Sequence, residues 1–336
     1  MQKKTVYFWL VVLCIGAGAV AALNRDKAVV SRTGYYMDTF FSINAYGWDA
    51  KHAVDEAFVE IERIERKYDQ RKPSSFLAGL NEKAGFARCG LDPETGRLMS
   101  VIDKLWRETD GGFDPTVAPL TELWGFEQFR VNSEFRVPSP GEINRVLLLV
   151  GWDKLAFGRG FGSVRFGKPG MRLDFGSLAK GYAVDRAWAI LKKHRVKGAL
   201  INGGNSSIRA LGKKPDGKYW RVGISHPRRK TLLGIVDLKP GLALSTSADN
   251  QRFFIVNGKR YSHLLNPFTG YPSGLVQQVT VQDVSALNAD ILSTGIFVLG
   301  GGGFSLLQRR GREGVIVDSG GGLSITAGWQ KESGMR

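Results

Sequence analysis

Between Lys51 and Tyr68 the apolar residues Val54, Phe58, Ile61, Ile64 and Tyr68 return every third or fourth position. That spacing lays one apolar stripe along a helix and predicts an amphipathic α-helix. The stretch GYYMDTFFSINAYG, Gly34 to Gly47, alternates instead, which predicts strand. Asp92 followed by Pro93 reads as an N-cap and first helical residue, opening a helix that runs to about Asp110. Another helix follows PSPGE and carries Ile143, Val146, Leu147 and Val150. KPSSFLAGLNEKAG reads as a loop with a short helical turn, and GGFDPTVAPLTELWGF as a loop broken by glycine and proline. From there strands dominate: around Val164, Ala199 to Asn202, Ile208 to Leu211, Arg221 to Ile224, Gly234 to Leu238, Arg252 to Val256, Gln277 to Gln282 and Gly314 to Val317. Helices interrupt them at Ser177 to His194 and Ala286 to Leu299. The alternation is irregular, so the pattern predicts an α+β fold rather than a doubly wound sheet. No internal repeat or long linker divides it, so residues 31–330 are expected to form one compact unit.

The N-terminus follows a different pattern. Lys3 and Lys4 precede an unbroken apolar run from Val6 to Leu23, and polar NRDK follows. Residues 1–23 therefore read as a signal peptide, with small residues such as Ala21 for cleavage, or as a membrane anchor just long enough to span a bilayer. Cys14 raises lipidation as a third option, although bulky Leu13 precedes it. Each option exports the body of the chain to the periplasmic side of the cytoplasmic membrane. The only other cysteine is Cys89, so the processed chain has neither an internal disulfide nor a thiolate metal cluster.

Composition adds little to that picture. Of 336 residues, 43% are hydrophobic and 23% charged, which is ordinary for a globular protein. The net charge of +16 raises nucleic acid or anionic lipid as partners, yet the basic residues are spread along the chain. With no zinc finger, aromatic RNA-binding signature or long basic run, nucleic acid is not expected.

The chemistry concentrates in a few stretches. LDFGSLAKGYAVDRA, Leu173 to Ala187, opens a helix whose first N–H groups attract negative charge. Lys180 falls in its first turn, where a cation opposes the helix dipole; a neighbouring phosphate would explain it, and so would simple solvation. Asp174, just before the turn, offers an acceptor. Asn202, Gly203 and Gly204 end a strand before a turn, and a hairpin is expected at Pro215 to Lys218. His263 closes a strand ahead of an Asn-Pro turn, and Asp249 sits among small hydroxyl residues. Asp290 and Thr294 share one face of an otherwise apolar helix. They supply hard oxygen ligands suited to Mg²⁺ that also holds phosphate, unless Thr294 bonds back to the Asp290 carbonyl.

Together these stretches resemble the FAD:protein FMN transferases, the ApbE family of exported flavin-transferring enzymes. The matching pieces are MDT at Met37 to Thr39, GGFDPTVAPLTELWGF, LDFGSLAKGYAVD, LINGGNSSIRALG, STSADNQRFF, RYSHLLNPFTGYP and NADILSTGIFVLG, in the family's order over nearly everything after residue 34. The resemblance implies FAD as substrate, Mg²⁺ on its pyrophosphate, and transfer of FMN to a threonine or serine hydroxyl of a partner protein with release of AMP. It implies an acceptor among membrane redox-complex subunits. Met37, Phe76, Gly112, Phe113, Asp114, Asp174, Lys180 and Leu265 fall at its FAD contacts. Ser177, Asp290 and Thr294 fall at its metal positions, and His263 at its catalytic histidine, with Asp249 a second candidate base. Two positions depart from the pattern. The family's Ser-Gly-Asp-aromatic reads Ser247, Ala248, Asp249, Asn250, and its aspartate before the proline is Asn266. A Mg²⁺-dependent FAD pyrophosphatase, a non-enzymatic exported flavin-binding protein and a binder of anionic surfaces stay open as alternatives.

Overall fold

The alternation from Gly34 to Gly47 belongs to two strands rather than one. In the computed structural model, which describes residues 28–126 and 135–329, β1 (Val29–Tyr36) and β2 (Thr39–Tyr46) form an antiparallel hairpin. The reversal falls on Met37 and Asp38, with φ of 53° and 59°. A two-residue hairpin turn of the primed kind demands that left-handed pair. Neither residue is glycine, so the turn costs roughly 1–2 kcal/mol per residue that contacts elsewhere must offset. The apolar N-terminal run and Cys14 lie outside the described residues.

Helix α1 (Ala50–Tyr68) buries the predicted stripe of Val54, Phe58, Ile61, Ile64 and Tyr68. Helix α2 (Phe76–Glu82) follows, then β3 (Arg88–Gly90) and α3 (Pro93–Glu108), which Asp92 caps by accepting the N–H groups of Glu94 and Thr95. The stretch from Gly111 to Phe126 contains more helix than its glycines and prolines suggest. Asp114 caps a 3₁₀ turn at Pro115–Val117, which leads into α4 (Ala118–Leu123). Pro115 and Pro119 occupy opening turns, where their missing N–H costs nothing. Helix α5 (Pro140–Leu147) starts inside PSPGE with a Ser139–Glu142 capping box, and Val150 lies beyond its end. β4 (Leu155–Phe157) and β5 (Ser163–Phe166) complete a small sheet with β3.

The remaining elements are α6 (Ala179–Lys193), β6 (Gly198–Gly203), β7 (Ser207–Gly212), β8 (Trp220–Ser225), β9 (Leu232–Leu238), β10 (Ala243–Ala248), β11 (Phe253–Val256), β12 (Lys259–Ser262), β13 (Val276–Asp283), α7 (Ala286–Leu299), α8 (Gly301–Arg309), β14 (Glu313–Asp318) and β15 (Leu323–Ile325). One eight-stranded antiparallel sheet runs β1-β2-β6-β7-β10-β13-β14-β15, so the fold is α+β as expected. The turn expected at Pro215 to Lys218 exists, with Lys214 and Lys218 bonded across it. It does not join a hairpin, because β7 stays in the large sheet while β8 pairs with β9 in a separate ribbon.

Among the described residues, three apolar clusters hold these parts. The largest lies between the sheet and α1, α6 and α7, with Phe41, Phe58, Leu191, Ile291 and Phe297 fully buried. A second joins Trp220, Val236 and Leu238 of the ribbon to Leu244, Val315 and Trp329. The third gathers Leu120, Trp124, Ile143, Phe254 and Leu265. In it the Trp124 indole stacks on Tyr261 at 5.5 Å and donates to the Gly270 carbonyl.

Candidate functional site

Helix α7 is buried nearly all round, yet Asp290 sits in its middle. Burying a carboxylate is costly unless donors meet it. Ser207 of β7 and Ser245 of β10 both donate to Oδ1, and the Gly181 N–H in the first turn of α6 donates to Oδ2 at 2.6 Å. Burial still pushes the Asp290 pKa up, against Lys180 and these donors. One turn along, Thr294 Oγ1 meets Ser247 Oγ at 3.1 Å. The register has a simple cause: i and i+4 on a helix lie about 6 Å apart, close to the roughly 6.8 Å between i and i+2 on a strand. Asp290 and Thr294 therefore face Ser245 and Ser247. Ser293, rather than Thr294, bonds back to the Asp290 carbonyl.

The odd helix opening is explained by the same contact. Helix α6 begins at Ala179, not Ser177, because the Phe175 carbonyl accepts both Leu178 N–H and Ala179 N–H in a preceding turn. Ser177 lies in that turn. Gly181 lets α6 press onto α7: a Cβ there would lie 2.4 Å from the Ala286 carbonyl oxygen. A second tie joins the helices. Asp185 accepts from the Ala286 and Leu287 N–H groups and from Ser285 Oγ, and pairs with Arg209 at 2.6 Å.

His263 follows β12, and its backbone N–H and Nδ1 both approach the Arg252 carbonyl, at 3.0 and 3.1 Å. A carbonyl only accepts, so Nδ1 carries the hydrogen and Nε2 keeps the lone pair. Burial pushes the His263 pKa down to about 4; the charges of Arg252 and Lys180 push the same way, while the Arg252 carbonyl and Asp249 oppose. At neutral pH His263 is an uncharged imidazole. Lys180 is felt by both His263 and Asp290, and has no ion-pair partner among the described residues.

Around His263 the structure gathers several expected residues and some unexpected ones. Asp38 pairs with Arg71 at 2.6 Å and with Arg252 at 3.5 Å, which places the Met37 turn beside the histidine's anchor. Burial opposes ionisation of Asp38, but these two guanidinium groups outweigh it and hold the carboxyl below its ordinary value. Asp174 receives the Gly176 N–H and donates its own N–H to Pro115, joining the Leu173 segment to the Gly112–Asp114 stretch. Burial raises the Asp174 pKa, against that hydrogen bond and against Arg71, Arg172 and Arg252. Gly112 abuts α7, where a Cβ would lie 2.7 Å from the Gly295 carbonyl oxygen.

Other expected residues are turned inward. Phe113 is fully buried. The Asp114 carboxylate is used by the Thr116 N–H and hydroxyl and by the Trp152 N–H. Leu265 packs in the third cluster. Phe76 opens α2, with the Lys67 ammonium 5.7 Å from its ring centroid. Asp249 is gripped by Arg228 through both oxygens, at 2.6 Å each. Sequence reasoning missed Ser207, Ser245, Arg252, Asp38 and Arg228. Only the Ser245–Ser247 spacing carried a signal, two hydroxyls on one face of a strand.

A divalent cation is testable against the donors present. Three of about four lone-pair directions on the Asp290 carboxylate are used by protein donors, leaving one on Oδ2. With the Thr294 hydroxyl this is a hard-oxygen set, which fits Mg²⁺ better than a soft metal. At the opposite end of α6, Asp49, His52 and His194 bring ligand-type atoms within 4.8 Å of one another. There His194 already bonds Asp49 and Glu56, at 2.6 Å each.

Residues 37–327 match the model of the ApbE family. The chain belongs to the ApbE family. Among curated ApbE relatives, the FAD:protein FMN transferase of Haemophilus influenzae is 28% identical over 294 residues, covering 84% of each chain. That of Rhodobacter capsulatus is 30% identical over 84% of this chain and 54% of its own. The crystal structure of the ApbE protein of Thermotoga maritima superposes with a TM-score of 0.83 at 31% identity, over 92% of this chain and all of that one. The apo flavinyl transferase ApbE of Pseudomonas stutzeri gives 0.79 at 30% identity, over 91% and 97%.

Proposed function

We propose that this chain is an FAD:protein FMN transferase acting with Mg²⁺ on a threonine or serine hydroxyl of a partner protein. Family membership and the names of its relatives support the transferase; the arrangement of the site supports the finer reading. The observation that carries it is the position of Lys180, whose charge reaches both the neutral imidazole of His263 and the buried carboxylate of Asp290. A cation that acts on both a proton acceptor and a metal-type carboxylate suits attack on a pyrophosphate.

In this reading Asp290 and Thr294, with Ser177 from the turn before α6, would hold the ion. When bound, it would neutralise phosphate charge. Lys180 adds a second positive charge there. The acceptor Oγ attacks the FMN-side phosphorus, the bond from that phosphorus to the bridging oxygen breaks, and AMP leaves. His263 Nε2 takes the Oγ proton. Met37, Phe76, Gly112, Phe113, Asp114, Asp174 and Leu265 are proposed as the FAD surroundings, with Phe113 and Asp114 acting through the loop they shape. Export belongs to the same reading, since Lys3 and Lys4 ahead of Val6 to Leu23 would place the site beside exported redox subunits.

The test is a paired assay of FMN released into solution and FMN bonded to an acceptor protein. His263→Ala should abolish transfer while FAD still binds. Rapid FMN release that no acceptor diverts would make the chain a pyrophosphatase instead.

A further inference from the structure

The ribbon of β8 and β9 ends in a turn from His226 to Thr231, closed by the His226 N–H to the Thr231 carbonyl at 2.9 Å. Nothing in the family resemblance touches this turn, yet the structure straps it to the His263 side of the site. The Arg228 guanidinium takes both oxygens of Asp249 in a parallel fork. Next along the chain, Asn250 donates its side-chain N–H to the Pro227 carbonyl at 2.9 Å. Asn250 is one of the two departures from the family pattern, and an aromatic side chain at that place could not make this bond through its ring carbons. Arg260, on the strand leading to His263, reaches the Asp249 carbonyl at 3.5 Å.

We propose that Arg228 is a positioning residue: its fork on Asp249 pins the ribbon turn at the rim of the site and offsets the carboxylate charge that favours a proton on His263. This rests on His263 being the group that takes the acceptor's proton. The charged groups that act most strongly on the imidazole fit the arrangement. Arg252 precedes β11 and is itself paired to Asp38; Lys180 comes from α6; Asp249 follows β10 and is paired to Arg228. Of these, Asp249 alone favours the imidazolium. Freeing its charge would protonate the base at a higher pH, because an anion near a histidine stabilises its charged form. Arg serves better than Lys, since only the planar fork can both neutralise the carboxylate and fix its orientation.

The chain has only four histidines, His52, His194, His226 and His263, so their ring signals can be assigned by single substitution and titrated by NMR in the full-length protein. Arg228→Gln should raise the His263 midpoint by about one pH unit and move the acid limb of the transfer rate up with it. Arg228→Lys should leave the midpoint near its parent value. Adding Asp249→Asn to Arg228→Gln should bring the midpoint back, and this charge-balanced double variant also serves if the single one folds poorly. A His263 midpoint unmoved by Arg228→Gln in a folded protein overturns the proposal, as does a shift that Asp249→Asn fails to reverse. The titration needs neither FAD nor acceptor. A shifted titration with an unshifted rate profile would overturn His263 as the base and leave the Arg228 arrangement standing.

Discussion

Gly181→Ala sets two physical effects against each other. Inside a helix, replacing glycine by alanine ordinarily stabilises by about 1 kcal/mol. Here the added Cβ would lie 2.4 Å from the Ala286 carbonyl oxygen and 2.7 Å from Asp290 Oδ2. Neither atom can yield cheaply. The first is backbone in the opening turn of α7, and the second belongs to a carboxylate held by three donors. Relief requires α6 and α7 to part, which costs about 1–3 kcal/mol in packing. It also stretches the Gly181 N–H bond to Asp290, a contact to a charged group worth about 1.5–3 kcal/mol. The net expectation is a loss of about 2–5 kcal/mol, or a fall in Tm of roughly 3–7 °C for a chain of this size. Gly79→Ala supplies the control, since a Cβ in that helix meets nothing within 4 Å and should stabilise slightly. Thermal unfolding followed by circular dichroism reads both, beside the transfer rate. A Gly181→Ala protein as stable as its parent, with unchanged transfer, would refute the close-contact argument.

Other expectations follow from the same structure. Asp290→Asn and Thr294→Val should each lower transfer about 10–100-fold and raise the Mg²⁺ needed for half-maximal rate; parental Mg²⁺ dependence in both would remove them from the cation's surroundings. His194 has its pKa raised by hydrogen bonds to Asp49 and Glu56. Its contribution to stability is therefore complete below the ordinary histidine value of about 6.5 and is lost as pH rises through the raised folded value. The Tm gap between parent and His194→Gln should accordingly be widest in mild acid and close in alkali; a gap that widens with pH would contradict the pairing. A reporter active only in the periplasm should work when fused after residue 30, and activity of a cytoplasmic reporter alone would speak against export.

Much of this was readable from spacing. The stripe of α1, the Asp92–Pro93 start of α3 and the strands from Ala199 onward follow local rules that tertiary contacts did not override. The helical pairing of Asp290 and Thr294 was readable for the same reason. Local rules failed where long-range partners decide. Met37 and Asp38 adopt a left-handed turn without glycine, supported by Glu65, Arg71 and Arg252 from distant segments. Helix α8 opens on three consecutive glycines, a poor local signal, and buries Leu306 and Leu307 against the core. Ser177 looked like a helix start until the Phe175 carbonyl claimed the turn. The donors to Asp290 come from three separate elements, and no motif links Ser207, Ser245 and Gly181 in sequence.

The pairing of Asp38 with Arg252, which in turn anchors His263, has a consequence for how the protein acquires activity. The partners stand roughly 200 positions apart, so a loop of that length must close before they meet. Strand β2 likewise waits for β6, and Gly181 for Asp290. Helices such as α1 can form in microseconds by themselves, whereas these closures are slow. On dilution from denaturant, helical signal should return well before transfer activity, and catalytic competence should be the last property the folding chain gains.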